Sequence, residues 1–251
     1  MSSPETDARA ARLAFERLLQ TEARHMAPML PPGFGEACER FVALLLAANA
    51  RLNLTRIVEP EAVARLHLLD AVAALPLVDR LSPDRALDLG TGGGVPGLVL
   101  AIARPDVRWT LVDSVGKKVD ALREIVAALA LRNVQPLAGR AELLGRATAH
   151  REAHDLVTAR ACASLPVLAE YALPLLRRGG TLLAWKGRLS DDELRAGAAA
   201  AAELGGDGPE TAATGLSVLG DHRFILVRKE RPTPVRYPRR PGDPAREPLG
   251  T

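Results

Sequence analysis

Apolar positions from residue 8 to about residue 75 recur at helical spacing. Phe41, Leu44, Leu45 and Ala48 form one stripe, and no strand-like alternation interrupts the region. Pro28, Pro31, Pro32 and Gly33 break it into helices on either side. Pro60 suits the first turn of a further helix through Glu61, Val63, Leu66 and Asp70. After Pro83 the pattern changes, and short apolar runs alternate with helical segments. RALDLG (85–90), VRWTLVDS (107–114), NVQPLAG (133–139), HDLVTAR (154–160) and GGTLLAWKG (179–187) read as strands, the third weakened by Pro136. Between the second and third, Val119, Leu122, Val126 and Leu129 share a helical face, with Asp120 and Glu124 off it. Strands separated by such helices predict an α/β, doubly wound, mostly parallel sheet. Two strand-like runs within 216–229, parted by Gly220 and Asp221, predict a closing antiparallel hairpin. Residues 231–250 hold six prolines and no periodicity, and read as an irregular tail. The expected organisation is a helical extension (1–78), an α/β domain (79–230) and a basic Pro/Arg-rich tail (231–251).

Composition narrows the class. Of 251 residues, 47% are apolar and 25% charged, as in ordinary globular proteins. No apolar run approaches the roughly 18 residues of a spanning helix, so no membrane role is expected. The N-terminus does not read as a signal peptide. Cys38 and Cys162 lack any paired metal spacing, so neither a zinc site nor a disulfide framework is expected, and the default location is cytoplasmic. The net charge is only +3, yet residues 228–251 alone carry +4. A basic tail on a near-neutral body suggests a local anionic partner, against the plainer reading of a solvated tail.

The strongest local signal is Asp88-Leu89-Gly90-Thr91-Gly92-Gly93-Gly94-Val95-Pro96-Gly97. Its glycines permit a sharp strand-to-helix turn and close approach of a ligand to the backbone. Asp113 follows at the end of the next strand, beside the loop, where a carboxylate accepts hydrogen bonds from ribose hydroxyls. Gly92, Gly94 and Gly97 also satisfy the dinucleotide pattern G-x-G-x-x-G, which alone is weak. Three features favour S-adenosylmethionine over NAD. Asp88 stands two residues before the first glycine, Ala141-Glu142 follows the third strand, and LLRRGGTLLAWKG precedes a hairpin edge.

Together, Asn53-Leu54-Thr55, His67-Leu68-Leu69-Asp70, DLGTGGGVPGLVLAI (88–102), LVDSVGKKVDALR (111–123), GRAELL (139–144), TARACASL (158–165), PLLRRGGTLLAWKG (174–187) and YPRRPGDPAREPLG (237–250) make a more specific set. It resembles the RsmG (GidB) family of 16S ribosomal RNA guanine-N7 methyltransferases, from about residue 40 onward. The resemblance implies a class I S-adenosylmethionine methyltransferase fold with an N-terminal helical extension. It implies a guanine in the helix 18 loop of 16S rRNA as substrate, on the free RNA or the 30S subunit, and a monomer without metal. The cofactor residues carried over by position are Gly90, Val95, Ala141, Glu142 and Arg160; Asp113 joins them on the ribose argument, and Asp88, Gly92 and Gly94 on the reading of the glycine loop. The family often has a larger apolar residue where this chain has Val95. On the substrate side fall Asn53, Thr55, His67, Asp70, Arg123 and Lys186. The alternatives are plain: a helix cap at Asn53 and Thr55, a structural hydrogen bond between His67 and Asp70, a strand-bridging Arg160, and an edge lysine at Lys186. Guanine N7 carries a lone pair and no proton, so no general base is expected. Aromatics are 3% of the chain, too few for a stacking platform, which leaves phosphate contacts. Arg236, Arg239 and Arg240 of the tail are the first candidates for these. The rivals are an NAD-dependent oxidoreductase, a same-fold methyltransferase acting on a protein or small molecule, and a non-catalytic RNA-binding protein.

Overall fold

The computed structural model describes residues 2–250; Met1 and Thr251, the ends of the first and last expected segments, lie outside them. The chain opens with α1 (Pro4–Thr21), whose start is written locally. Ser3 caps it by accepting from the Thr6 N–H, Pro4 occupies the first turn, and Glu5 and Asp7 face the positive helix end. A 3₁₀ segment (Arg24–Met29) leads to α2 (Phe34–Leu52), which ends at Asn53 in the left-handed region. Next come α3 (Pro60–Val63), a π-helical stretch (Ala64–Leu69) and α4 (Asp70–Val72), one continuous run begun by Pro60, then α5 (Leu75–Leu81).

The sheet follows as β1 (Arg85–Leu89), α6 (Gly97–Ala103), β2 (Arg108–Asp113), α7 (Gly116–Ala128), β3 (Val134–Ala138), α8 (Ala141–Leu144), β4 (His154–Arg160), α9 (Leu165–Ala172), β5 (Leu176–Lys186), α10 (Asp191–Glu203), β6 (Gly206–Ala213) and β7 (Arg223–Lys229). The final turn is α11 (Asp243–Arg246). Strand order is β3-β2-β1-β4-β5-β7-β6; β1 to β5 run parallel, and β7 and β6 are antiparallel to their neighbours. Central β1 and β4 are buried along nearly their whole length because helices cover both faces. Pro136 is tolerated because β3 is an edge strand.

Each face of the sheet carries its own core. One is shared with the helical extension, with Phe15, Phe41 and Leu45 joining Leu98, Trp109 and Leu111. Each such buried side chain stabilises by roughly 1.5–3 kcal/mol. The other joins Leu87, Val112 and Val157 to α9 and α10. No described helix is long and apolar enough to cross a membrane.

Two expectations need correction. The hairpin exists, but its first strand is β6, not the run at 216–219, which forms a 3₁₀ turn over Ser217–Leu219. β6 is an edge strand with Asp207, Glu210 and Thr211 exposed and Gly206, Gly208 and Pro209 among them, so it reads as loop. Leu216 and Leu219 are apolar because they plug the core beneath the extension. The tail is irregular apart from α11, but it is strapped down. Arg151 donates to the carbonyls of Gly145 (2.8 Å), Tyr237 (2.9 Å) and Thr233 (2.9 Å), and buried Lys229 bonds Thr233.

Candidate functional site

The strand ends of β1, β2 and β4 carry a cleft of about 180 Å³, lined among others by Gly90, Asp113, Ala141, Glu142 and Tyr171. Asp113 anchors it. Its Oδ2 accepts from the Gly92 N–H (3.0 Å) and its Oδ1 from the Val115 N–H (2.9 Å). A carboxylate has about four lone-pair positions, so each oxygen retains capacity for one hydroxyl. Gly90 has φ +66, and a Cβ there would lie 3.0 Å from the Cys162 Cβ, so the backbone must stay bare at the cleft wall. Glu142 is buried. Burial alone would raise its pKa, but Arg140 (3.0 Å) and the Gly242 N–H (2.9 Å) hold it low. Bare backbone, a ribose-competent carboxylate and apolar walls from Leu89, Val112 and Ala141 fit S-adenosylmethionine.

Asp88 and Gly94 serve this cleft from behind, against the expectation of direct contact. Asp88 is wholly buried and accepts from the Gly97 N–H (3.2 Å) and from Thr158 Oγ1 (2.6 Å), tying the loop to the start of α6 and to β4. Burial lifts its carboxyl to about 6 in spite of those bonds. A Cβ on Gly97 would lie 2.5 Å from Leu111 Cδ2 and 2.8 Å from the Asp88 carboxylate, so helix, strand and acid meet only over a glycine. Gly94 faces Leu98 and Leu122, away from the cleft.

A second cavity of about 590 Å³ lies between the helical extension and the ends of β4, β5 and β7. Arg160, at the end of β4, organises it. Its guanidinium donates to the Leu66 carbonyl, to Asp70 Oδ2 (3.1 Å) and to His67 Nδ1 (3.3 Å). Arginine accepts nothing, so His67 Nδ1 carries the lone pair and Nε2 the proton. Nε2 meets Thr55 Oγ1 at 3.0 Å, which also accepts from the Ile57 N–H (3.0 Å). With two donors aimed at it, the Thr55 hydroxyl keeps its own hydrogen for another acceptor. Burial, aided by Arg160, depresses His67 to about 4, so it stays neutral near pH 7. Asp70 is completely buried, and its second oxygen pairs with His222 Nδ1 (2.9 Å). Its carbonyl accepts from Trp185 Nε1 (2.9 Å).

The two cavities meet at a junction of about 140 Å³, where Gly90, Gly92 and Val95 face Thr55, His67 and Arg160. Arg160 therefore belongs to the junction and the second cavity, not to the cofactor cleft where it was expected. Thr55, His67 and Asp70 come together here. Other expected substrate contacts do not. Asn53 is the exposed residue ending α2. Arg123 pairs with Asp120 on the outer face of α7. Lys186 lines the cavity, but its Nζ is held by the Ala163 carbonyl (2.7 Å) and Glu193 (2.9 Å). Arg239 is locked onto buried Glu170 by several hydrogen bonds, which takes it out of reach of phosphate. Arg236 lies over the Tyr237 ring, 5.1 Å from its centroid, and pairs with Glu203 at 3.2 Å. Arg240 is at the surface with no partner among the described residues. Sequence reading did not name His222, Trp185 or Tyr171 as site residues; Trp185 lies inside the quoted run 174–187, and the other two stand outside every motif.

Sheet order, the single reversed strand β7 and the cleft over the glycine loop define a class I methyltransferase fold. Cofactor-bound Rv0187 from MTB shares the fold, with a TM-score of 0.54 at 22% identity over 76% of this chain and 90% of that one. The mitomycin 7-O-methyltransferase MmcR gives 0.54 at 15%, over 74% and 60%. The family model described as rRNA small subunit methyltransferase G (GidB) matches residues 35–211. The ribosomal RNA small subunit methyltransferase G of Deinococcus radiodurans is 50% identical over 215 residues, 85% of each chain. The protein of that name from Moorella thermoacetica is 40% identical over 236 residues, 93% of this chain and 98% of that one. The chain belongs to the rRNA small subunit methyltransferase G family. Membership sets aside the oxidoreductase and the non-catalytic rival.

Proposed function

We propose that the protein transfers the methyl group of S-adenosylmethionine to N7 of a guanine in the helix 18 loop of 16S rRNA. It works as a cytoplasmic monomer on the free RNA or the 30S subunit. The relatives' shared name, which specifies ribosomal RNA of the small subunit, supports the substrate. One structural observation carries the chemistry. Asp70 is the only carboxylate lining the second cavity among the described residues, and it is fully engaged by Arg160 and His222. His67 has its lone pair turned to Arg160. Asp70 and His67 are thus spent on their neighbours, only the outer nitrogen of His222 stays open, and a nucleophile that brings its own lone pair asks no proton removal of it.

Bound S-adenosylmethionine supplies an electrophilic methyl group on a sulfonium sulfur. The chain's own residues position the acceptor. Guanine presents N7 and O6 as adjacent acceptors on one edge. The spare Thr55 hydroxyl hydrogen and the Arg160 guanidinium at the junction are donors for O6, which leaves the single N7 lone pair free to form the bond to the methyl carbon as the carbon–sulfur bond breaks. Orientation at near-attack distance is then the main catalytic contribution. Buried Asp70 offsets the charge of Arg160, so the guanine ring that gains positive charge meets a paired guanidinium and not a bare one. The test is transfer of labelled methyl to 16S rRNA and 30S subunits that lack the modification, with the product mapped by cleavage at 7-methylguanine. Cleavage at one helix 18 guanine is expected. Label at another atom or in another macromolecule overturns the reading.

A further inference from the structure

Two of the three tail arginines placed by sequence to bind phosphate are committed elsewhere, Arg239 to Glu170 and Arg236 to Glu203, which leaves Arg240 alone in the tail. Uncommitted cations gather at the opposite end of the sheet. A groove of about 290 Å³ runs over the first residues of β1, β2 and β3, lined by Arg85, Arg108, Arg132, Trp109 and His154 among others. None of the three arginines has a side-chain hydrogen bond or ion pair among the described residues, and no carboxylate lines the groove. The neighbouring Asp155 is occupied by Arg177 and by the N–H groups of Asp84 and Arg85.

The groove also holds unsatisfied polar atoms. Of three buried side-chain polar atoms without a partner among the described residues, two belong to its lining, Trp109 Nε1 and His154 Nδ1. Indole nitrogen only donates. His154 Nε2 sits 3.3 Å from His150 Nδ1, with the two rings stacked; when His150 donates, the proton of His154 is on Nδ1. A buried orphan donor is costly and uncommon in native proteins. The indole N–H beside three unpaired guanidinium groups makes a lining that offers a donor and positive charge.

The geometry points to a phosphate-binding groove that holds the sugar–phosphate backbone of the substrate RNA remote from the modified base. Its arginines come from three separate segments, and Arg108 and Arg132 are exposed, as suits an extended backbone better than one enclosed small anion. β1 spans five residues from groove to cleft, about 15 Å at roughly 3.3 Å per residue. The groove therefore meets nucleotides beyond the target base. This inference rests on the rRNA reading.

The experiment compares wild type with Arg108→Glu/Arg132→Glu for binding to a 16S rRNA transcript over a series of salt concentrations. The variant should bind about tenfold more weakly at low salt, and its slope of log affinity against log salt should be shallower by about 1.5, as for two lost phosphate contacts. S-adenosylmethionine affinity should not change, which also verifies folding, and Arg108→Lys/Arg132→Lys should recover most of the slope. Equal affinity and slope in wild type and the charge-reversed variant overturn the proposal. Inorganic phosphate that shifts the Trp109 indole N–H resonance, with RNA binding untouched by the substitutions, reassigns the groove to a free anion and overturns it as well. Binding is read without turnover. A wild type that binds RNA but methylates none would overturn the functional reading and leave the groove standing.

Discussion

The cofactor cleft and the substrate cavity are built by different means. The cleft is made mostly of backbone: a bare glycine loop, two strand ends, and one carboxylate bonded to two amide N–H groups within its own neighbourhood. The cavity is made of side chains that hold one another across the fold. Arg160 reaches His67 and Asp70, and Asp70 reaches His222 across 152 positions of sequence. A backbone site depends on conformations that few residues can adopt. A side-chain site depends on partners, and its energetics are those of a network. The two halves should therefore fail separately.

The largest separation is expected at Asp113. Asp113→Ala removes two internal bonds from the loop and the acceptors for ribose. Charge-assisted hydrogen bonds contribute about 1.5–3 kcal/mol each, so S-adenosylmethionine affinity should fall by about 100-fold or more. RNA affinity should hold. Calorimetric titration with cofactor and filter binding with RNA measure the two. An equal fall in both would mean that cleft and cavity form one cooperative unit.

Asp70→Ala attacks the other half. It leaves Arg160 and His222 without their shared acceptor in a mostly buried place. Breaking such a pair from one side is strongly destabilising, and a loss of about 3 kcal/mol in unfolding free energy is expected. In the folded fraction, kcat/KM for RNA should drop about 30-fold with cofactor affinity within twofold, as direct titration would show. Cofactor affinity that falls in step with kcat/KM would erase the contrast.

These differences decide what the chain discloses. Five parallel strands, the helical extension and the cleft could be read because each rests on local periodicity, or on glycines and an acid at short spacing. Thr55, His67 and Asp70 could be named as candidates but not joined, because Arg160 unites them from about 90 residues away. Asp88 was legible as important, yet its buried bonds to Gly97 and Thr158 make it a brace. β6 was illegible because an edge strand facing water carries loop-like residues. The tail misled for a related reason. Charge density marks cations but not their partners, and buried Glu170 lies 69 positions from Arg239 in sequence.

A smaller effect is expected at His222, which no motif marks. It lines the cavity while Asp70 holds its Nδ1, so its other nitrogen is available to substrate. His222→Gln should lower kcat/KM for RNA about tenfold, near 1.4 kcal/mol, without moving cofactor affinity or thermal stability by much. An unchanged kcat/KM would restrict the working cavity to Thr55, His67 and Arg160.

The smallest effect is a pH dependence carried by His67. Its folded pKa of about 4 lies below the ordinary 6.5 because burial, then Arg160, disfavours the charged ring. Between those values the unfolded chain takes up a proton that the folded chain refuses, so stability falls as pH drops through that window. The loss from pH 6.5 to 5.5 should be about 1 kcal/mol, since one pKa unit corresponds to about 1.36 kcal/mol. His150 and His154 shift in the same direction and Asp88 in the opposite one, so the wild-type slope alone mixes several groups. The difference between wild type and His67→Gln in urea unfolding at each pH isolates the one that matters. A slope in wild type that His67→Gln removes means the ring is held neutral against Arg160, with its proton toward Thr55. Parallel curves would mean that His67 protonates freely, and the side-chain half of the site would then be as loosely specified as its sequence made it look.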